Sequence, residues 1–569
     1  MDENENILSY DTPSRLRPAG QKVMRWLAGS APVAWRRSAA WYLRLLGLIY
    51  LAAFISLWVQ IEGLIGSHGI LPIQQYLASV RMQLGNGWWW QVPTLCWFNS
   101  ADWFLQFQCG AGAVLAILAA LGIAQMPAFA LLWLLYLSLT TAGQTFLGYQ
   151  WDGLLLEAGL LAIFLSPLRW LAWKPRWAGP PIVVMWLQRW LIFRLMFLSG
   201  VVKLASGDPT WRNLTALTYH YWTQPIPTWT SYYASHWPLG FQKFSACGMF
   251  VVELGLPLLM FGPRRLRTLA AIGVVTLQLL ILGTGNYGFF NLLATALCVP
   301  LLDDSMLPRL WPRGALDGVL FPSPGTPGEG QGGGELGEKR SRNVYLSKAI
   351  QPPSQPSPGV PGEGEIAGTR AAKMRLAITG MLAAVILIAT GTEFAHTCGV
   401  SLMPAPFELV AQTLSPLRST NSYGLFAVMT TERPELIFEG SNDRVTWTEY
   451  RFKWKAGDLK KRPTFCTPHM PRLDWQLWFA ALNPQGNSAV IDGLVRELLR
   501  GSKPVGSLMD GDPFAGRPPR FIRVKLYQYR FTTASDGKRT GDWWERTDTG
   551  QETEAYTLGT VGATDSSGE

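Results

Sequence analysis

Nine apolar runs constrain this chain more than any other feature. They lie at about residues 39–61, 103–123, 126–147, 151–169, 182–203, 243–262, 266–284, 286–302 and 376–393. Crossing the roughly 30 Å hydrocarbon layer takes about 20 apolar residues as a helix. A helix also pairs its own backbone where no water can do so. The run at 286–302 is short enough to be re-entrant, and the last run has only threonine as a polar interruption before Glu393. The pattern predicts a polytopic α-helical membrane bundle of about nine spans, with eight or ten also fitting it. The segment before the first run is polar and basic, which predicts a retained signal anchor rather than a cleaved leader.

Charge gives the orientation. Only 15% of the 569 residues are charged, with a net of +10. Basic residues cluster in alternate loops: Arg15, Arg17, Lys22, Arg25, Arg36 and Arg37 before the first span, then Arg169, Lys174 and Arg176, then Arg264, Arg265 and Arg267. Cytoplasmic loops carry such an excess, so this distribution predicts no nucleic-acid partner. An odd number of spans then places the chain after residue 394 in the lumen or periplasm.

The expected organisation has a basic cytoplasmic N-terminus at 1–38, a transmembrane domain at 39–302 and a linker at 303–372. A last transmembrane helix at 373–393, a β-rich outer domain at 394–546 and a disordered tail at 547–569 follow. The linker holds a near-repeat, Pro322–Gly330 and Pro356–Gly364, whose Pro/Gly composition cannot bury an apolar core and reads as disorder. In the outer domain Tyr450, Phe452 and Trp454 alternate with charged residues, as do Ile522, Val524 and Leu526, predicting half-buried strands. Ile491, Leu494, Val495, Leu498 and Leu499 recur at helical spacing before Gly501, a suitable C-cap. The stretch Glu439–Trp447 resembles a strand and turn of discoidin-like jelly rolls, so a jelly-roll-like fold is one expectation for the β-rich domain. Cys398 and Cys466 are a disulfide candidate if the compartment oxidises thiols, with two buried thiols as the equal alternative.

Several motifs fail. Gly283-Thr-Gly-Asn-Tyr-Gly288 fits the dinucleotide pattern but follows an apolar helix with no βαβ unit. His68, His220, His236, His396 and His469 are too scattered to name a metal site, and no cofactor is implied. Ionisable groups at membrane depth are more informative. Asp152, Glu157, Arg189, Arg194, Lys203 and Glu253 all fall within or beside apolar runs. The plain alternative is mutual neutralisation, for example Arg194 with Glu157 or Glu253. The sharper one is a working polar cavity in which a partly buried Lys203 acts as a base. The loop after Lys203 carries Asp208, Trp211, Arg212, His220 and Gln224, expected either as a client or substrate surface or as simple interfacial anchoring. Gly207 and Pro209 permit a turn there, from which Asp208 could reach back to Lys203 or Arg212.

The segment from Arg194 to Pro227 resembles the lipase maturation factor family. So do Gln150–Glu157, Gly285–Asn291, Asn421–Phe426, Glu439–Ser441, Pro468–Trp475 and Leu526–Phe531. The likeness spans nearly the whole chain except the N-terminus, the linker and the extreme tail. It implies a multi-pass protein of the endoplasmic reticulum membrane, or of the inner membrane if the chain is bacterial. It also implies that the chain assists folding or assembly of a secreted client, a lipase in animal members. A shorter stretch, Ser199-Gly-Val-Val-Lys203 followed by Trp211, resembles the membrane core of vitamin K-dependent gamma-glutamyl carboxylases. That resemblance implies the alternative of a membrane enzyme using Lys203 as a base on a lipid or quinone-like substrate, with His220 as a second candidate group.

Overall fold

The computed structural model describes residues 34–167, 170, 179–308, 370–400 and 402–560. The chain divides into two compact units, one of residues 1–307 with 379–569 and one of residues 308–378. The near-repeats of the expected linker and most of the basic N-terminus lie outside the described residues.

Among the described residues nine apolar helices carry the apolar runs, eight before residue 302 and one after residue 369. They are α1 (Arg36–Trp58), α2 (Asp102–Leu121), α3 (Gln125–Ala142), α4 (Gln150–Leu165), α5 (Ile182–Ala205), α6 (Leu239–Phe261), α7 (Arg264–Thr284), α8 (Phe290–Leu297) and α9 (Arg370–Thr397). Among the described residues seven helices are long and apolar enough to cross a membrane. The exceptions are α4, with 16 residues, and α8, with 8 residues before a 3₁₀ turn at Val299–Leu301. Seven long helices and two short ones thus stand, among the described residues, where the nine apolar runs were read.

Both short helices still join the two ends of the bundle. At one end Asp304 accepts the N–H groups of Arg36 (3.0 Å) and Arg37 (2.8 Å), and Asp303 pairs with Arg264. These bonds gather the starts of α1 and α7 with the residues after α8. Asp303 is fully buried, so the structured part extends past the expected boundary at 302. At that level Ala124 donates to the carbonyl of Trp170, tying the α2–α3 turn to the segment after α4 (2.7 Å). The other ends of α4 and α8 meet the C-terminal domain.

That domain is built on one antiparallel sheet of order β2-β1-β3-β4. Its strands are β1 (Pro434–Ser441), β2 (Thr448–Glu449), β3 (Phe521–Phe531) and β4 (Trp544–Glu552). A jelly roll needs two sheets and about eight strands, so the described residues do not form one. The helices α10 (Arg472–Leu482) and α11 (Ser488–Arg500) lie between β2 and β3 in the chain. As the spacing predicts, α11 ends at Gly501 in the left-handed region (φ +67°) and β3 carries Ile522 and Val524 inward.

Two expectations are corrected here. The alternation at 450–455 forms no strand: β2 stops at Glu449, Phe452 makes only an isolated bridge to Met509, and the backbone N–H groups of Trp454 and Lys455 turn aside to the carboxylate of Asp474 (both 2.9 Å). Residues 547–552, assigned to a disordered tail, extend β4 along β3, and Tyr556 bridges back to Ile522. β4 is an edge strand with mostly exposed side chains, so it carries no apolar alternation to read.

The C-terminal domain sits on the end of the bundle through buried polar joints. Arg472, at the start of α10, forms a bidentate pair with Asp152 of α4 (2.6 and 2.7 Å). Tyr136 of α3 donates to the same carboxylate (2.6 Å), and all three side chains are essentially unexposed. Arg433 of the C-terminal domain pairs with Glu435 (2.7 Å) and donates to the carbonyls of Trp222 and Pro225 (both 2.9 Å). Asn286, between α7 and α8, accepts the N–H of Cys466 (2.8 Å) and donates to the carbonyl of Thr464 (2.8 Å).

Breaking a buried ion pair from one side strands the other charge, at a cost of about 3–5 kcal/mol. Arg472→Ala is expected to destabilise the protein by that order, read as a large fall in thermal unfolding midpoint in detergent. Arg472→Met with Asp152→Leu should recover much of the loss, since it removes both charges.

Candidate functional site

A cavity of about 440 Å³ lies where the bundle meets the C-terminal domain. One side is made by the ends of α4, α5, α7 and α8, through Trp151, Leu195, Met196, Ile281 and Phe290. The other side is made by the segment Gly424–Val428 and by Trp475, Trp478 and Phe479 of α10. Lys203, Ser199 and Glu253 also line it.

Local helix geometry explains the Lys203–Glu253 pair. α6 changes to a π-turn at Val251–Gly255, which carries Glu253 inward to 6% exposure. Gly200 lets α6 close in: a Cβ there would stand 2.6 Å from Leu254 Cδ2 and 3.2 Å from Glu253 Cβ. The glycine of Ser199-Gly-Val-Val-Lys203 is thus required by packing. Lys203 Nζ donates to both carboxylate oxygens of Glu253 (2.9 and 3.0 Å) and to the carbonyl of Ser199 (3.1 Å), with the Trp211 ring 5.5 Å away. All three hydrogens of an ammonium are engaged in this way.

The loop residues fall into place around Phe426. Trp211 Nε1 donates to the Phe426 carbonyl (3.0 Å), and the His220 ring meets the Phe426 ring edge-on, 5.0 Å between centroids. Tyr287 donates to Gln224 Oε1 (2.8 Å), so its oxygen is left to accept from His220 Nε2 at 3.2 Å. Gln224 in turn donates to the carbonyl of Thr284 (2.7 Å). Burial, aided by the positive Lys203, pushes the His220 imidazole down to about 4.

Asp208 is placed differently from the sequence reading. Its carboxylate accepts from Thr210 N (2.8 Å), Thr210 Oγ1 (2.8 Å) and Met429 N (2.6 Å), and reaches neither Lys203 nor Arg212. It caps the turn at Pro209–Arg212 and pins the C-terminal domain. Burial opposes its charge, but the N–H donors of Met429 and Thr210 outweigh that and hold the carboxyl below its ordinary value. Arg212 is exposed.

The remaining intramembrane charges are structural joints. Arg194 pairs with Glu157, donates to the carbonyl of Asn421 (2.7 Å), and Tyr423 donates to Glu157 (2.7 Å). Arg189 stacks on Trp35 (4.3 Å) near the other end of the bundle. The proposed disulfide is corrected: Cys398 and Cys466 are both free thiols. Cys398 is exposed just past α9, whereas Cys466 is buried with its N–H held by Asn286. Among the described residues no group of three or more His, Cys, Asp or Glu could hold a metal ion.

The walls that single-residue reasoning missed are aromatic: Phe426, Tyr287, Trp151, Trp475 and Trp478. Four of the five fall in the segments Gln150–Glu157, Gly285–Asn291, Asn421–Phe426 and Pro468–Trp475 that carry the family resemblance, and convergence of those segments was the available signal.

Comparison with known proteins matches the same two parts of the chain. Residues 37–309 match the family described as lipase maturation factor transmembrane domain, and residues 419–554 the lipase maturation factor C-terminal domain. Lipase maturation factor 2 of Xenopus laevis is 37% identical over 563 residues, covering 88% of this chain and 79% of its own. Lipase maturation factor 2 of Homo sapiens is 36% identical, with 89% and 80% covered. Lipase maturation factor 1 of Mus musculus is 32% identical, with 93% and 89% covered. No solved structure matches. The likeness of Ser199–Lys203 to carboxylases finds no support among these relatives.

His220 and His469 are both pushed down to about 4 from an ordinary 6.5, His469 by burial with Lys453 and Arg472 nearby. The unfolded chain therefore takes up protons below about 6.5 that the folded chain refuses until near 4. Their stabilisation is full above 6.5 and is lost as pH falls toward 4. Stability is expected to fall between about pH 7.5 and pH 5 by up to about 2 kcal/mol per histidine, read as a lower thermal midpoint. His220→Gln with His469→Gln should flatten that dependence.

Proposed function

This chain belongs to the lipase maturation factor family, and we propose that it is a membrane-embedded maturation factor that helps a secreted client fold or assemble. The relatives' name makes a lipase the first client to test. The carrying observation is the match across both parts of the chain, joined by the buried Asp152–Arg472 pair that holds the C-terminal domain as a fixed platform on the bundle. Lys203 is committed to Glu253 at the cavity wall, which favours this role over base catalysis.

The proposal includes a topology. The seven long helices and the two short ones cross the membrane nine times, with Arg36, Arg37, Arg264 and Arg265 on the cytoplasmic side. The C-terminal domain then faces the lumen of the endoplasmic reticulum, or the periplasm in a bacterium. The bonds joining residues 36–37 to Asp304 support it, as does the positive-inside rule. A reporter that works only in the cytoplasm, fused after residue 560, should be silent; a bright signal would overturn this topology.

The role is tested in the native host by comparing the secreted proteome with and without the gene. Loss of active secreted lipase or of another secreted protein is expected, restored by the full chain. The charge-free pair Lys203→Met with Glu253→Leu should restore it too. An unchanged secreted fraction would sink the maturation role. Failure of that pair to rescue, at normal protein level and fold, would return chemistry to Lys203.

A further inference from the structure

We propose that the C-terminal domain is moored to the bilayer by its loop Leu459–Phe465, with Arg462 and Lys460 on the phosphate of an anionic phospholipid and Phe465 at the edge of the hydrocarbon. This goes beyond the maturation role and needs only that the bundle is embedded in a membrane.

The level of the loop follows from α7. Its 21 residues rise about 30 Å, the thickness of the hydrocarbon layer. Leu279 and Leu280, near its end, are 55% and 63% exposed, so lipid reaches that far. A short helix before α6, Trp229–Ser235, sits against this end: Thr230 donates to the carbonyl of Gly283, and Pro227 bridges to Gly285. The C-terminal domain reaches the same place. Asn286 holds the carbonyl of Thr464 and the N–H of Cys466 (both 2.8 Å), which fixes Phe465 between them.

Rings from both domains meet there. Trp229 packs edge-on against Phe465 (6.1 Å between centroids) and against Tyr233 (6.2 Å), and Tyr233 against Trp543 (6.3 Å). Tyr233 and Phe465 remain exposed, and Trp237, Phe241 and Phe244 carry the exposed apolar surface on into α6. Indole and phenol rings favour the boundary between hydrocarbon and headgroups. This surface is continuous with the lipid-facing sides of α6 and α7, which selects lipid over a protein partner as its occupant.

The charge on the loop selects the kind of lipid. The guanidinium of Arg462 lies over the Trp229 ring at 5.7 Å, and both Arg462 and Lys460 are exposed. Neighbouring acids are engaged elsewhere, Asp458 by Arg451 (3.2 Å) and Asp510 by Lys461 (2.5 Å). Among the described residues no carboxylate pairs with Arg462 or Lys460. A planar guanidinium without a counter-ion matches phosphate oxygens in geometry and charge, and an added negative headgroup strengthens the attraction to both cations.

The test uses the full chain, with phosphatidylglycerol and phosphatidylcholine as probes in native mass spectrometry. The wild type should retain phosphatidylglycerol over phosphatidylcholine. Arg462→Gln with Lys460→Gln should weaken phosphatidylglycerol binding about five-fold for each charge removed and leave phosphatidylcholine binding unchanged, with an unchanged thermal midpoint as the fold control. Depth is read separately, from a nitroxide on Phe465→Cys with the exposed Cys247 and Cys398 changed to serine. In nanodiscs containing phosphatidylglycerol the label should be relaxed by oxygen and shielded from a water-soluble nickel chelate. A label open to the chelate would overturn the mooring and leave this surface to a protein partner. No preference of the wild type for phosphatidylglycerol, or the same preference in the double glutamine variant, would overturn it as well.

Discussion

A carboxylate on one helix and a guanidinium on another domain hold this molecule together. Asp152 stands at the start of α4, where apolar sequence would not normally carry an acid, and it is fully buried. Alone it would be an expensive defect. Arg472 meets it with two parallel N–H bonds, Tyr136 donates a third hydrogen, and the second acceptor of Arg472 Nη1 is the carbonyl of Phe146 (3.1 Å). Such a pair adds little net stability over an apolar replacement, but it fixes geometry, since any other arrangement leaves a charge unpaired.

The position of the cavity follows from that register. With Arg472 fixed over Asp152, α10 lies across the bundle end, and Trp475, Trp478 and Phe479 face the ends of α4, α5 and α7. Gln60 accepts the N–H of Arg472 (2.8 Å) and Trp478 donates to the carbonyl of Thr223 (2.8 Å), so α1 and the loop after α5 are drawn into the same joint. Glu157 performs a parallel service for the segment Asn421–Phe426, through Arg194 and Tyr423. The space left between these two joints is the cavity.

Period and charge made the bundle legible, because lipid forces an unbroken apolar run and loop arginines mark one side. The run at 286–302 already reads as short, and a turn into a 3₁₀ segment at Val299–Leu301 ends α8 after 8 residues. Helix α11 was legible from its spacing and its glycine, and β3 from alternation. The edge strand β4 was not, since an exposed strand imposes no apolar pattern. The site was legible in part. Lys203, His220 and Gln224 stand out as polar groups in the wrong solvent, but their partners are set by tertiary placement. Nothing local tells that Asp208 will cap Thr210 and catch Met429 rather than turn back to Lys203.

Where charges are spent bears on what the protein can do. Asp152, Glu157, Arg194, Lys203 and Glu253 are each buried and each engaged by an opposite charge. The rest of the cavity lining is mostly aromatic and aliphatic. The buried charges thus fix one domain over another and leave a mostly apolar space between them. That arrangement suits the proposed maturation role, with the aromatic side chains around Phe426 and Trp475 lining the space it leaves.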